Sequence, residues 1–316
     1  MIKDKKILIT GGAGFVGSHL AGALAENNEI ILLDNFLSGF KQNIEYLLKN
    51  KNVKFIEGDI RDKEIERKIG KDIDIVFHEA AQINPTKAVN EPDFDFDINV
   101  NGGFNILNWA RQANVKKFLL ASTNVYFNPK YIPMDEKHPI QLVSPYAAAK
   151  YAMEAYCMCF FEAYGMDTVR LRYTNIYGEG QRSEKSESGV IPIFIKKILN
   201  NQNPIIFGDG KQTRDFVHIS DVVNANLLAA ESKNTKGEVY NIGYGKEISV
   251  LDLAKLLIKI SGKDHLQPVL GPERKADFKR CIPDISKAYK AFGYKPEIEF
   301  EHGIKNTFEW WVNNPE

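Results

Sequence analysis

The chain has 316 residues, 44% of them hydrophobic, and its Lys+Arg and Asp+Glu totals are both 41, so it has no net charge. That length supports one large α/β domain or two closely joined ones, and the charge balance excludes nucleic acid or an anionic membrane as a global electrostatic partner. No apolar run is long enough to span a bilayer, and the segment MIKDKKILIT lacks the apolar stretch and cleavage site of a secretion signal. Cys157, Cys159 and Cys281 make no disulfide framework, so a reducing cytoplasm is the expected location.

In chain order, strands are predicted at Lys6–Thr10, Ile30–Asp34, Val53–Glu57, Ile73–His78 and Lys117–Ser122. Helical patterns lie between them at Phe15–Glu26, Lys41–Lys49, Lys63–Lys68 and Phe94–Ala113. Continuous apolar strands alternating with helices describe a parallel sheet buried on both faces. A helix from about Pro145 to Tyr164 and a strand at Thr168–Tyr173 extend it. After Tyr173 the rhythm changes: Gly, Ser and charged residues cluster in Gly178–Gly189, then come a helix at Ile193–Asn200 and short strands near Ile205–Phe207 and Asp215–His218. Glu238–Ile242 is strand-like and is expected to return to the sheet. The final amphipathic helix, His302–Val312 with Trp310 and Trp311, reads as core packing. The fold class is therefore α/β, a doubly wound parallel sheet of Rossmann type with a smaller C-terminal α/β cap. Residues 1–173 with about 219–243 form the nucleotide domain, and 174–218 with 244–316 form the substrate domain.

The segment KILITGGAGFVGSHL puts Gly11, Gly14 and Gly17 between a strand and a helix. Glycines there permit a tight turn and close backbone approach, and the helix N-terminus offers free N–H groups to a pyrophosphate. The spacing is Gly-x-x-Gly-x-x-Gly. Asp34 closes the second strand, where an acid binds adenosine ribose hydroxyls and repels the extra phosphate of NADP, so NAD is the expected cofactor. An Asp at a strand end is also a common turn former. Further on, Tyr146 and Lys150 stand one helical turn apart and share a face. A cation near a phenol favours the phenolate, making Tyr146 a candidate general acid/base. Ser122 ends a strand at the carboxyl edge, where its hydroxyl can share the substrate proton.

These residues resemble the extended short-chain dehydrogenases/reductases, specifically the NAD-dependent sugar-nucleotide epimerase/dehydratase family. The resemblance runs almost end to end, through Gly58-Asp59-Ile60, His78-Glu79-Ala80-Ala81-Gln82, Asn99, Ser122-Thr123-Asn124-Val125-Tyr126, Leu171 to Gly178, and Phe207 to Val217. It implies cofactor contacts from Gly11, Gly14, Phe15, Val16, Gly17, Asp34, Asn35, Phe36, Ser38, Gly39, Asp59, Ile60, Ala80, Ala81, Gln82, Asn99, Tyr146, Lys150 and Tyr173. It also implies a substrate pocket formed by Ser122, Thr123, Asn175, Gly189, Val190, Phe207, Arg214, Arg274, Asp277 and Cys281. Arg214 and Arg274 would grip the pyrophosphate of a UDP-sugar, though a single arginine is equally often a surface ion pair. In the implied mechanism Tyr146 takes the sugar 4-hydroxyl proton with Ser122 in the same hydrogen-bond chain, NAD accepts the C4 hydride, and Lys150 holds the nicotinamide ribose.

Dehydratases of the family carry an Asp-Glu pair where this chain has Thr123 and Asn124, which cannot act as carboxylic acids. Epimerisation at C4 is thus favoured over loss of water. The resemblance implies that Cys281 walls the sugar 2-substituent, where a small residue leaves room for an N-acetyl group, so UDP-N-acetylglucosamine/UDP-N-acetylgalactosamine is the expected pair, with UDP-glucose/UDP-galactose as a second; Cys281 is equally readable as a small buried apolar residue. The alternatives are a UDP-uronate epimerase or decarboxylase, and a non-catalytic NAD-binding sensor, which retention of Tyr146, Lys150 and Ser122 argues against. Departures from the family pattern are Glu79, Phe127, Ala149 and Gly189. No metal site is expected, since Cys157 and Cys159 lie on opposite sides of a helix. The family implies a homodimer packed through the Phe94–Ala113 and Tyr146–Tyr164 helices.

Overall fold

Side-chain alternation along the strands explains how this chain closes over its own sheet. In the strand β1 (Lys6–Thr10), Ile7 and Ile9 face one layer, and Leu8 faces the other. The first layer holds Leu20 and Leu24 of α1 (Phe15–Leu24) with Val222 and Ala225 of α8 (Ile219–Glu231). The second holds Ile106 and Leu107 of α5 (Gly103–Gln112) with Met153 and Phe160 of α6 (Pro145–Tyr164). Helices on both faces are what all-parallel pairing requires. The computed structural model describes residues 2–124, 129–182, 189–273 and 279–315.

The remaining sheet strands are β2 (Glu29–Asp34), β3 (Val53–Glu57), β4 (Ile75–His78), β5 (Lys117–Thr123), β6 (Thr168–Tyr173) and β11 (Glu238–Ile242). Among the described residues these form a seven-stranded sheet in the order β11-β6-β5-β4-β1-β2-β3. Every pairing in it is parallel. The expected return of Glu238–Ile242 thus takes place, against β6. The smaller strands β7 (Asn175–Tyr177), β8 (Ile205–Phe207), β9 (Thr213–Arg214), β10 (Phe216–His218), β12 (Ile248–Ser249) and β13 (Val269–Gly271) pair two by two. They accompany a separate apolar cluster built on α7 (Val190–Leu199), α9 (Val250–Ser261) and α11 (Phe300–Asn313), with Phe194, Leu257 and Trp311 inside it. Trp311 packs as expected, and Cys157 is buried while Cys159 is exposed.

Two predicted helices take other forms. Residues 41–49 give two short 3-10 turns, Lys41–Asn43 and Leu47–Lys49. There the Asn43 amide donates to the Ala13 carbonyl (3.0 Å), tying the segment to the glycine turn. The Phe94–Ala113 pattern is interrupted: α4 (Pro92–Phe96) leads into a π-helical turn over Asp97–Gly102 before α5 begins. In that turn Asn99 accepts the Gln82 N–H (2.9 Å) and donates to the Gln82 carbonyl (3.0 Å) and to Asp95 (2.9 Å). Such turns recur at functional sites. The shorter helices α2 (Ile65–Ile69), α3 (Pro85–Asn90) and α10 (Ser286–Phe292) complete the set described.

Leu119 of β5 is fully buried against the α1/α8 layer. Leu119→Ala should lower the free energy of unfolding by about 2–5 kcal/mol. Urea titration followed by circular dichroism would measure it, and a loss within the scatter of surface substitutions would show that this strand is not central.

Candidate active site

At the carboxyl end of β1 the chain turns at Gly11, whose φ of +67° suits glycine. A Cβ on Gly11 would lie 2.7 Å from the Ala80 nitrogen, and one on Gly17 would collide with the Gly11 carbonyl oxygen. The three glycines therefore let α1 begin against the strand end, with the unpaired N–H groups of its first turn at the cleft. Gly11, Gly14, Phe15, Val16 and Gly17 all line that cleft, together with Asp34, Asn35, Ser38, Asp59, Ile60, Ala80 and Ala81.

Asp34, at the end of β2, accepts hydrogen bonds from the Ala13 N–H (2.9 Å) and the Phe36 N–H (2.7 Å). It thus locks the glycine turn to the following loop while its carboxylate lines the cleft. Asn35 donates to Asp59 (2.7 Å), and Arg61 grips Asp59 through Nε (2.9 Å) and Nη2 (2.8 Å). The Arg61 hydrogen bond holds Asp59 down at about 2. Phe36, Gly39, Gln82 and Asn99 are not in the cleft lining. The Phe36 ring packs against Phe55 at 5.1 Å, tilted by 34°. Gly39 sits against Asp34 and Ala13, where a Cβ would be 2.9 Å from the Asp34 carboxylate. Gln82 and Asn99 bond each other and Asp95.

The cleft's other end gathers Ser122 and Thr123 of β5, Tyr146 and Lys150 of α6, and Tyr173 of β6. Ser144 caps α6 by accepting the Ala147 N–H (3.2 Å), which fixes where Tyr146 starts the helix. The Tyr146 phenol is hydrogen-bonded with Thr123. Burial, with the Asp95 charge, pushes that phenol well above its ordinary range, and Thr123 opposes the shift. This corrects the expectation that Lys150 brings Tyr146 down: burial lowers Lys150 itself, against the pull of Glu79, Glu154 and Asp95. Ser122 donates to Glu154 of α6 at 2.6 Å.

Glu79 was legible only as a departure from pattern, yet it lines the cleft. It accepts from the Tyr173 hydroxyl at 3.2 Å. Burial raises its carboxyl to about 7, with Lys150 and Tyr173 pulling the other way. Beside it, burial and the Lys150 charge lower His78 to about 3, so the imidazole bonded to Thr10 (2.8 Å) is neutral. Leu37, Gly58, Ile83, Thr174 and Ile176 also line the cleft; Gly58, Thr174 and Ile176 stood in the sequence only as parts of motifs, and Leu37 and Ile83 were not singled out.

Of the expected substrate residues, Asn175 donates from its amide to the Asp215 carbonyl (2.9 Å) and Arg214 donates to the Thr213 carbonyl (2.7 Å). Cys281 is buried with Met134 and Ala147, the neighbour of Tyr146, and feels the charge of Arg214. Phe207 is exposed on β8, Gly189 precedes α7 and Val190 opens it. Cys281, Asn175, Arg214, Phe207, Gly189 and Val190 do not line the cleft described above. Arg274 and Asp277 lie outside the described residues. Among the described residues no cluster of His, Cys, Asp or Glu is arranged to hold a metal.

Residues 7–243, from β1 to the end of β11, match the NAD dependent epimerase/dehydratase family. The chain belongs to that family. It is an enzyme, NAD is its cofactor, and the glycine turn with Asp34 across the same cleft fits that cofactor. Among relatives of this epimerase/dehydratase, a Methanocaldococcus jannaschii protein provisionally named UDP-glucose 4-epimerase is 46% identical over 98% of this chain and 99% of its own. The UDP-glucose 4-epimerase of Thermotoga maritima, solved with UDP-glucose, superposes with a TM-score of 0.91 at 38% identity, covering 98% of this chain and all (100%) of the other. The UDP-N-acetylglucosamine 4-epimerase of Methanobrevibacter ruminantium, in complex with UDP-N-acetylmuramic acid, gives 0.93 at 34% identity over 99% of each chain.

Two outcomes follow for this epimerase/dehydratase. Gly17→Ala should deplete bound NAD and lower Tm, because the new Cβ must displace the Gly11 carbonyl. NAD content by absorbance after denaturation checks it, and full retention would remove the turn from the cofactor site. Glu79 has a folded value above its ordinary 4.5, so its contribution is fully present below 4.5 and is lost as pH rises through about 7. Glu79→Gln should therefore gain stability over wild type as pH climbs from about 5 to about 8, by at most about 3 kcal/mol. A Tm difference that ignores pH would contradict this.

Proposed function

We propose that this enzyme inverts the C4 centre of a UDP-sugar and leaves it neither oxidised nor reduced overall. The observation that carries this reading is the convergence of Tyr146, Lys150, Ser122 and Thr123 at one end of a cleft whose other end holds Asp34 and the glycine turn. NAD held against the glycine turn and Asp34 would supply a hydride acceptor, and the positive charge of its oxidised ring would favour the phenolate. Tyr146 takes the proton from the sugar 4-hydroxyl and gives it back after the ketone turns over. Lys150 keeps a cation one turn below the phenol. Asp34 holds the adenosine ribose and disfavours NADP. The cofactor and substrate residues named from sequence, including Arg274 and Asp277, keep their roles in this reading.

Loss of water is disfavoured because Thr123 and Asn124 offer no carboxylic acid, and Asn124 is buried outside the cleft lining. The substrate pair favoured is UDP-N-acetylglucosamine/UDP-N-acetylgalactosamine, with UDP-glucose/UDP-galactose second. Support comes from the small, buried Cys281 beside Ala147 and Arg214, and from the Methanobrevibacter relative. The reading includes a homodimer. Phe104 of α5 and Tyr151, Tyr156 and Met158 of α6 are exposed, apolar surface that a second copy would cover. It also includes a cytoplasmic location, supported by three cysteines left as free thiols.

The test is incubation with UDP-N-acetylglucosamine, UDP-glucose and UDP-glucuronate without added NAD, followed by proton NMR for C4 inversion. The first should invert fastest; inversion of UDP-glucuronate alone would move the assignment to a uronate epimerase. No inversion by protein shown to carry NAD defeats the reading. Tyr146→Phe should lower turnover by about a hundredfold or more while NAD stays bound.

A further inference from the structure

Ser122 has an unexpected partner. It pairs with Arg172 across the β5–β6 ladder, so the two side chains rise from the same face of the sheet. Glu154 descends on them from α6, on the face that carries Tyr146 and Lys150, at successive four-residue steps. The Ser122 hydroxyl donates to Glu154 Oε1 at 2.6 Å. Arg172 donates to the same carboxylate through Nε at 2.9 Å and Nη2 at 2.7 Å. Arg170 donates to the Glu154 main-chain carbonyl at 3.3 Å. Ser122, Glu154 and Arg172 are 4%, 1% and 2% exposed.

A buried ion pair is a weak source of stability, since apolar residues of similar volume often do as well. Its value here is directional. A hydroxyl has one hydrogen, and this one is committed to Glu154, so any further hydrogen bond at Ser122 Oγ must be one that it accepts. The bidentate grip of Arg172 keeps the carboxylate from turning away.

We propose that Glu154, clamped by Arg172, is a positioning residue that makes Ser122 an obligate hydrogen-bond acceptor toward the reacting sugar hydroxyl. This rests on the epimerase reading above. The sugar O–H points at Ser122 Oγ and at the Tyr146 phenolate; its O–H bond breaks, a Tyr146 O–H bond forms, and no proton passes onto Ser122 or Glu154. Ser122 orients the hydroxyl and does not relay its proton.

The test uses the NAD-loaded enzyme with UDP-N-acetylglucosamine, or with UDP-glucose or UDP-glucuronate where that is the one it inverts. Glu154→Leu/Arg172→Met removes both charges together and avoids stranding one of them. Ser122→Ala is made alone and combined with that pair. The pair should keep NAD and the KM for the sugar within about twofold, while kcat falls about tenfold or more. In the Ser122→Ala background the same pair should change kcat by less than about twofold, because its target is gone. The pH at which Tyr146 ionises should not move. The proposal is overturned if the pair retains most of the wild-type kcat, or if its effect is as large without Ser122 as with it. Should the pair not fold, Glu154→Met/Arg172→Leu, which likewise leaves Ser122 no side-chain oxygen to donate to, is compared in the same two backgrounds and decides by the same criterion. A wild-type enzyme that inverts no sugar nucleotide instead overturns the epimerase reading, and this role with it.

Discussion

Parallel pairing makes every strand of the central sheet end at one edge, and the chemistry of this protein is assembled along that edge. β1 ends at Thr10 and hands on to Gly11, β2 ends at Asp34, β4 at His78 just before Glu79, β5 at Thr123 and β6 at Tyr173. These residues are far apart in sequence, yet they line or border one cleft because the crossover connections return each strand in the same direction. The helices covering the two faces make this possible, since an all-parallel sheet is stable only when both faces are buried.

The same burial sets the electrostatics. Tyr146 and Glu79 are pushed up and Lys150 and His78 down, in each case first because charge is costly away from water. Lys150 is the shared partner: Glu79, Glu154 and Asp95 all favour its charge, and its charge disfavours protonation of His78. The site thus gathers Glu79, Asp95 and Glu154 around Lys150: burial raises Glu79 and Asp95, and Glu154 is paired with Arg172. The Glu154–Arg172 pair is bonded in full, whereas Glu79 is left near neutrality in its titration.

Much of this was legible because local chemistry demands particular residues. Gly17 must lack a Cβ where it passes the Gly11 carbonyl, so the turn declares itself. Ser144 followed by Pro145 marks the start of α6 through capping, which fixes Tyr146 and Lys150 on one face. Residues 41–49 carry a helical pattern, but Asn43 is drawn to the Ala13 carbonyl and the segment breaks into short turns. The π-helical turn around Asn99 was equally invisible, because it answers to Gln82, seventeen residues earlier in the chain. Phe36, Gly39, Gln82 and Asn99 lie outside the cleft lining, and their contacts with Phe55, Asp34, Ala13 and Asp95 come from the tertiary structure.

The sequence by itself determined the alternation of strand and helix, the glycine turn, the acid that closes β2 and the one-turn spacing of Tyr146 and Lys150. Each of these follows from neighbours within a few residues, where backbone geometry leaves few choices. Only the tertiary structure decided what each polar group bonds and which way its proton affinity moves. Ser122 meets Glu154, Tyr146 meets Thr123, and Glu79 meets Tyr173 across separations that no local pattern encodes. Desolvation depends on everything packed around a group, so the rise of the Tyr146 phenol in the protein alone could not be read from the nearness of a lysine in sequence.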